Sequence, residues 1–557
     1  MNNRRFRQPA PTLPHQFRAD ASFQSQLARL LEEGVLADIE PELDELGGLA
    51  AGAMLPWATQ AENNPPTLDH YGPYGDRIDR INLSAGWKAL GRYAAEFGIV
   101  AVPHERKHGW MSRVHQYALL HLYQPSSANF GCPLAMSDGA VAALGRYGAD
   151  APWASEARER LMSRDPDRAW TAGQWMTEME GGSDVSRSST EARRDGDVWR
   201  LHGTKYFTSA TTSECALLLA RPEGAGSGSK ALGMFFTRPW RDDGTANHIR
   251  VRRLKPKFGT RPLPTAELEL EGAIAHAVGG PDGGLRKITT VLNIARYFNT
   301  NAAVSSMRRS VTMARAYARV REAFGHKLED LPLHVETLAD MQVEYDAALA
   351  IGLRLAELLG KVECDVATDR EKGAWRLLTP LAKLGTGKQA VALASECMEC
   401  HGGVGYMEDS GVPTILRDAQ VLPIWEGTTN VLSLDALRAM GRENALEPFL
   451  ADIHAHLDGL TGPAADSVHA AVGRLSAYVH KMKSAGPSDV QTGARGFALS
   501  LYRTYAAALL CHAGAWEERT GRGQRLGISA RRYAAKDLTP LVDTDASRFE
   551  ESRVLIG

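Results

Sequence analysis

Apolar residues recur every three to four positions through two long stretches of the chain, and every second position in the stretch between them. Residues up to about 165 carry the helical spacing, as in ASFQSQLARLLEEGVL and AGWKALGRYAAEFGIV. From about 170 to 280 short alternating runs take over. WRLHGTKYFTS, CALLLAR, ALGMFFT and HIRVRRLK are separated by DGD, GAGSG and DDG, whose glycines and aspartates signal turns. That pattern predicts an all-β unit. Beyond Gly284 low-glycine helical segments return at 285–322, 334–362 and 371–400, long enough for a helical bundle. HGGVGY (401–406) breaks the bundle and IWEGTTN (424–430) follows it. The polar link MGRENALEP then opens a last helical segment, consistent with an extra domain.

Length and composition narrow the class. At 557 residues the chain exceeds one compact core, so three or more domains are expected. Apolar content of 44% and charged content of 23% are those of a globular chain in water. A net charge of -2 excludes a chain-wide attraction to nucleic acid or anionic lipid, though not a local patch. No run of about 18 uninterrupted apolar residues marks a membrane span. The opening MNNRRFRQPAPTLPHQFR lacks the apolar core of a secretory signal, and its prolines predict a loosely held surface arm. Six cysteines form no disulfide framework and suit a reducing, cytoplasmic setting. Cys397 and Cys400 have the CxxC spacing, but no second pair accompanies them and His401 cannot complete a tetrahedral shell alone. No metal site is expected, and the pair reads as buried helix thiols.

Several short motifs pair residue types with chemistry. In MTEMEGGSDV, Gly181 and Gly182 let the backbone approach a ligand, and Thr177 and Ser183 can donate hydrogen bonds to it; an ordinary polar hairpin fits the composition equally. GTKYFTS sets two aromatics beside hydroxyls, and by itself reads as a core strand. Arg321 and Phe324 in RVREAFG pair a cation with an aromatic at a helix end, able to grip a phosphate and cover an adenine. A solvated helix charge is the commoner meaning of such an arginine. HGGVG offers backbone N–H groups where side chains would block a pyrophosphate, or serves a helix–helix turn. IWEGTTN places Glu426 between a bulky aromatic and a glycine. A carboxylate in apolar surroundings loses hydration and becomes a better base; a salt-bridged bundle residue is the plainer reading.

MTEMEGGSDV, GTKYFTS, RVREAFG, ECHGGVGY, LRDAQ and IWEGTTN stand in the order and approximate spacing of the acyl-CoA dehydrogenase family, which residues 80 to 440 resemble. NPPTLDHYGPYGDRIDRI (64–81), the WMTEMEGGSDV variant, the IWEG tetrad and the added C-terminal segment resemble its AidB, or adaptive-response, branch. The resemblance implies a multidomain, mainly α fold. It assigns an N-terminal arm and helical domain to 1–169 and a β-barrel domain to 170–282. A four-helix bundle domain takes 283–440 and an extra C-terminal helical domain 441–557. A homotetramer holding FAD and acting on an acyl-CoA or related small molecule is implied too. Met176, Thr177, Gly182, Ser183, Phe207, Thr208, Ser209, Thr428 and Asn430 would contact the flavin. Arg321, Phe324, Glu399 and Gly403 would reach the FAD of a neighbouring subunit. Ser183, Arg296 and Gly427 would contact substrate.

By the same resemblance Glu426 would take the proton alpha to a thioester carbonyl while the beta carbon gives hydride to the flavin. Hydrogen bonds to the thioester oxygen, including one from the Glu426 N–H, would stabilise the enolate by about 3–4 kcal/mol. Isovaleryl-type relatives keep their base directly before an arginine, where this chain has Ala295 before Arg296, so Glu426 has no competitor by motif. Asn293 stands where many relatives carry an aspartate, and Thr414 replaces a basic residue. The resemblance to the AidB branch implies an alternative function: a flavoprotein with weak or no dehydrogenase turnover that binds double-stranded DNA non-specifically through its C-terminal domain in an alkylation-damage response. Arg519, Arg522, Arg525, Arg531, Arg532 and Lys536 form a run without an acidic residue that would meet phosphates. A solvated helix face or a subunit contact is the plainer reading.

Overall fold

Strand alternation closes a barrel. In the computed structural model, which describes residues 8–241, 243–542 and 546–557, a hairpin of β1 (Thr67–Tyr71) and β2 (Arg77–Asn82) precedes seven further strands. These are β3 (Ala172–Trp175), β4 (Glu191–Asp195), β5 (Val198–Ser209), β6 (Cys215–Pro222), β7 (Gly233–Thr237), β8 (Ile249–Leu254) and β9 (Thr265–Ala277). The pairings β6–β4, β4–β5, β5–β9, β9–β7 and β7–β6 form a closed circuit, with β3 added alongside β6 and β8 alongside β9. β6 runs parallel to β3 and β4, and the other pairings are antiparallel. Closure removes most free edges, which answers the hazard of exposed strands. Inside lie Trp175, Trp199, Leu201, Leu218, Phe235, Leu268 and their neighbours, each large side chain contributing about 1.5–3 kcal/mol on burial.

The hairpin is a β element inside a stretch whose pattern is mainly helical. GPYG supplies its turn, and Leu68 faces Ile81 across it; both pack against the barrel core. Asp79 is buried, and its carboxylate accepts from Val251 N (2.9 Å) and Arg77 Nε (2.9 Å). Arg77 also donates to Val251 O (3.1 Å), so the hairpin covers the free edge of β8.

The chain forms two compact units. The barrel, its hairpin and the helices Ala85–Glu96, Gly131–Tyr147 and Pro152–Leu161 belong to Gly52–Lys107 and Ala118–Phe298. The other unit takes the chain up to Ala51, His108–Tyr117 and everything from Asn299 onward. It holds the long helices Pro332–Glu363 and Asp369–Cys400, the latter opened by a capping box of Thr368 and Glu371. It also holds the helices Ala21–Leu30, Glu33–Ala51, Thr429–Glu443, Leu446–Leu457, Pro463–Met482, Pro487–Arg519 and Arg525–Ala534.

A buried polar network ties these segments together. Arg354 NH2 donates to both Asp452 carboxylate oxygens (2.8 and 2.9 Å), Arg354 pairs with Glu357 (2.8 Å), and Tyr505 OH donates to Asp452. Glu517 accepts from Ser25 Oγ (3.1 Å) and from Leu526 N (2.8 Å), joining the first helix to the last domain. The N-terminal segment departs from the loose arm expected. Gln16 and Phe17 are buried, Arg308 donates to Gln16 Oε1 (2.7 Å), and Gln8 Nε2 donates to Val320 O (3.2 Å). Phe17 is apolar and Gln16 offers both donor and acceptor, which outweighs the proline content. Residues 1–7 of that arm lie outside the described residues. Among the described residues no helix is long and apolar enough to cross a membrane.

Candidate active site

In the barrel unit, MTEMEGGSDV forms the loop between β3 and the short helical turn Val185–Arg187. Only glycine fits at 181, because a Cβ there would stand 2.4 Å from Asp184 O. Glu178 anchors the loop. Its buried carboxylate pairs with the fully buried Lys205 ammonium of β5 (2.6 Å) and accepts from Ser188 Oγ (2.8 Å), Ser189 N (2.6 Å) and Thr190 Oγ1 (2.6 Å). Burial works against ionisation of Glu178, but the Lys205 charge and the hydrogen bonds outweigh it and hold the pKa at about 2. Burial pushes the Lys205 ammonium down from its ordinary value, against the pull of Glu178. Lys205 also donates to Leu219 O (2.8 Å) and Tyr206 N to Thr177 O (2.9 Å), so the loop is stapled to β5 and β6.

This frame leaves Gly182 and Ser183 exposed, with Met176 and Thr177 half-buried. On β5 the register shifts between Lys205 and Thr208: Tyr206 and Phe207 together stand opposite the single residue Glu267 of β9, so one extra residue is inserted and side-chain parity reverses. Phe207 therefore points outward at 50% exposure, and Thr208 turns in, donating to Ala266 O (2.8 Å). Ser209 is half-buried, 3.4 Å from Thr265 Oγ1. Lys255 lies over the rings of Tyr206 (3.1 Å) and Phe207 (4.6 Å), fixing the outward aromatic. Arg296 is half-buried beside buried Ala295, and Asn293 is half-buried one turn before.

In the other unit, Glu426 sits at the end of a tight turn over residues 421–426. Its φ is 57°, left-handed for a residue with a side chain, and Gly427 follows at 110°. The fully buried Lys383 of helix Asp369–Cys400 donates to Gly427 O (2.6 Å). One helical turn on, a Cβ at Gly387 would stand 3.1 Å from Leu422 O, so this glycine lets the turn lie close to the helix. Glu426 is half-buried, while Thr428 and Asn430 are exposed. Thr428 is the N-cap residue of helix Thr429–Glu443, yet its side chain makes no capping bond to that helix.

Arg321 precedes a short hairpin that pairs Glu322–Ala323 with His326–Lys327, and Phe324 (φ 54°) and Gly325 (φ 82°) form its two-residue turn. Phe324 is 94% exposed; Arg321 donates to Gln8 Oε1 (3.1 Å). Glu399 is exposed, and nothing stands within 4 Å of where a Cβ on Gly402 or Gly403 would point. His401 beneath them is buried, stacked on Tyr317 (4.6 Å) and donating from Nδ1 to Cys397 O (2.7 Å). Burial pushes the Cys397 and Cys400 thiols up to about 12 and 11. Thr414 accepts from Arg417 (3.0 Å), which also pairs with Glu408 (2.6 Å).

The basic run does not share one free face. Arg532 pairs with Glu336 and with Asp340 (3.0 Å), and Lys536 with Glu344 (2.7 Å). Arg522 lies over Trp516 (5.5 Å); Arg519, Arg525 and Arg531 are exposed. Glu178, Lys205 and Lys383 were not among the candidates singled out by motif. A signal existed for two of them: Lys205 shares strand parity with Trp199 and Leu201, and Lys383 is a lone charge in the apolar run LLTPLAKLG.

The sequence matches four family descriptions in succession. They are "Adaptive response protein AidB N-terminal domain" over 9–168, "Acyl-CoA dehydrogenase, middle domain" over 173–273, "Acyl-CoA dehydrogenase, C-terminal domain" over 282–441 and "Acyl-CoA dehydrogenase 11 C-terminal domain-like" over 444–556. The chain is 40% identical to acyl-CoA dehydrogenase family member 11 of Caenorhabditis elegans over 91% of its own length and 85% of that protein. It is 30% identical to the putative acyl-CoA dehydrogenase AidB of Escherichia coli, covering 76% and 77% respectively. The crystal structure of C. elegans ACDH-11 in complex with C11-CoA superposes with a TM-score of 0.95 at 38% identity, over 100% of this chain and 97% of that one. With its barrel, bundle and added helices matched along almost their whole length, the chain belongs to the acyl-CoA dehydrogenase family, in its AidB-like branch.

Proposed function

We propose that the protein is an FAD-dependent dehydrogenase of acyl-CoA thioesters in which Glu426 removes the alpha proton. The observation that carries this reading is the backbone of Glu426 itself. A left-handed conformation costs a residue with a Cβ about 1–2 kcal/mol, and such strain persists where the surroundings over-determine it, often at functional sites. Here Lys383 and Gly387 hold the turn from the helix side.

The residues present fit a flavin. The Gly402–Gly403 turn leaves backbone uncovered, as a pyrophosphate requires, Thr428 keeps its hydroxyl uncommitted to its own helix, and Phe207 offers an aromatic face to a ring. FAD, when bound, accepts the hydride released from the beta carbon. Glu426 receives the alpha proton on its carboxylate, and its own N–H is the donor toward the thioester oxygen, where enolate charge develops. The loop of Thr177, Gly182 and Ser183, rigid through Glu178 and Lys205, orients rather than reacts. Arg296 and Gly427 are assigned to substrate. Arg321, Phe324, Glu399 and Gly403 serve the FAD of a second subunit in a homotetramer, a role that suits an aromatic with almost no cover from its own chain.

The acyl-CoA class is supported by the C11-CoA ligand of the C. elegans relative. The test is anaerobic flavin reduction with short, branched and long acyl-CoAs, C11-CoA included. At least one thioester should bleach the flavin on the timescale of mixing; a protein that carries FAD and is bleached by none would sink the proposal.

A further inference from the structure

Helix Asp369–Cys400 places a lysine in the middle of its apolar stretch. In LLTPLAKLG, Leu377, Leu378, Leu381, Ala382 and Leu384 are buried, and Lys383 has no exposed surface at all. A methionine would fill the same space without the desolvation of an ammonium, which is offset only where the charge is hydrogen-bonded. One of its bonds reaches the turn that carries Glu426: Nζ donates to Gly427 O at 2.6 Å.

That bond fixes which way one peptide faces. The peptide group is planar and trans, so the Gly427 carbonyl and the Thr428 N–H point in opposite directions. With the carbonyl turned inward to a fully buried ammonium, the Thr428 N–H is turned outward, on the side where Thr428 is exposed. Neither the Gly427 N–H nor the Thr428 N–H has a partner among the described residues. Glycine by itself does not secure this arrangement. At φ 110° Gly427 occupies backbone space closed to most residues, and without a Cβ it meets little resistance to rotation about its other dihedral. A flipped peptide would set carbonyl lone pairs beside the Glu426 carboxylate, facing the enolate charge with an acceptor in place of a donor.

We infer that Lys383 is a positioning residue for the dehydrogenation: its ammonium latches the Gly427–Thr428 peptide, so that the turn beside Glu426 shows N–H groups and not a carbonyl to the thioester. The role rests on Glu426 as the base. With no exposed surface, Lys383 touches neither substrate nor flavin and acts through Gly427, the residue assigned to substrate. Its charge also polarises the peptide it holds. The contribution belongs to the transition state, because the thioester oxygen is neutral before proton removal and charged during it. Loss of the latch therefore lowers the limiting rate more than it weakens binding.

The test uses FAD-loaded protein, anaerobic mixing and the fastest of butyryl-, isovaleryl-, C11- and palmitoyl-CoA, with limiting bleaching rate and half-saturation read separately. Lys383→Met, close in shape but without a donor, should lower the limiting rate about 10–100-fold, while half-saturation moves less than about threefold. Lys383→Gln, a neutral donor, should recover part of that loss. Leu377→Ala, at a buried position on the same helix, should lower the melting temperature and leave the limiting rate within about twofold. Crystals should show the Gly427 carbonyl turned inward in the wild type and outward in Lys383→Met. A Lys383→Met rate equal to wild type, an equal loss in Leu377→Ala, a carbonyl facing inward in both crystals, or failure of both Lys383 variants to fold with FAD bound would each overturn the assignment. Glu426→Gln separates this role from the reading beneath it. Wild-type bleaching in that variant removes the base, and the latch with it; slow bleaching there beside an unaltered Lys383→Met removes the latch alone.

Discussion

Replacing Glu178 by glutamine keeps the shape of the loop anchor and removes its charge. The Lys205 ammonium would then remain fully buried with Leu219 O and a neutral amide for company. The magnitude follows from the carboxyl itself. Held at about 2 against an ordinary 4.5, it contributes about 3 kcal/mol to the folded state at neutral pH. Removing one partner of a buried ion pair costs about 3–5 kcal/mol by general experience, in agreement. Because the chain has more than one unit, the effect is best read locally, by hydrogen exchange of the amides of Tyr206 and Ser189. They should exchange roughly 100-fold faster in Glu178→Gln at pH 7. The pH dependence has a fixed sign. A depressed carboxyl stabilises fully above its unfolded value of 4.5 and loses that contribution as pH falls toward 2, so the gap between wild type and variant should shrink by about 1 kcal/mol near pH 3.5. Lys205→Met should combine with Glu178→Gln non-additively, the double variant being more stable than the sum of the single losses allows. Additive losses, or a Glu178→Gln effect below about 1 kcal/mol, would refute the reasoning.

Three further outcomes are expected. Asp452→Asn leaves the buried Arg354 guanidinium with Glu357 as its remaining counter-charge and should lower stability by about 1.5–3 kcal/mol, seen as an early thermal transition of the C-terminal helices with flavin content intact until that transition. Phe324→Ala removes an aromatic that is 94% exposed, so subunit stability should stay within about 0.5 kcal/mol while FAD is lost more readily on dilution. Cys397 and Cys400, pushed up to about 12 and 11 by burial, should resist iodoacetamide at pH 8 in the folded protein and react once it is unfolded, as mass spectrometry would record.

The barrel, the bundle helices and the added domain were legible because their apolar periods are long and uninterrupted. Helix Asp369–Cys400 even announces its start through Thr368 and Glu371. The hairpin β1–β2 was not, since its alternation is short and only its contact with β8 makes it a strand pair. The motifs around Glu426 and Gly181 could be found from glycines beside chemistry-bearing residues. What no local pattern reveals is the partner across the fold. The bulge that turns Phe207 outward and Thr208 inward depends on register with β9. Arg532 and Lys536 look free in the sequence, yet acidic residues some 190 positions earlier neutralise them.

The most direct measurement compares the rate of flavin bleaching by the best thioester substrate, after anaerobic mixing, in wild type and Glu426→Gln at equal FAD occupancy. Loss of the proton acceptor should slow bleaching by about 10²–10⁴-fold with substrate binding retained; an unchanged rate in the variant would contradict Glu426 as the base.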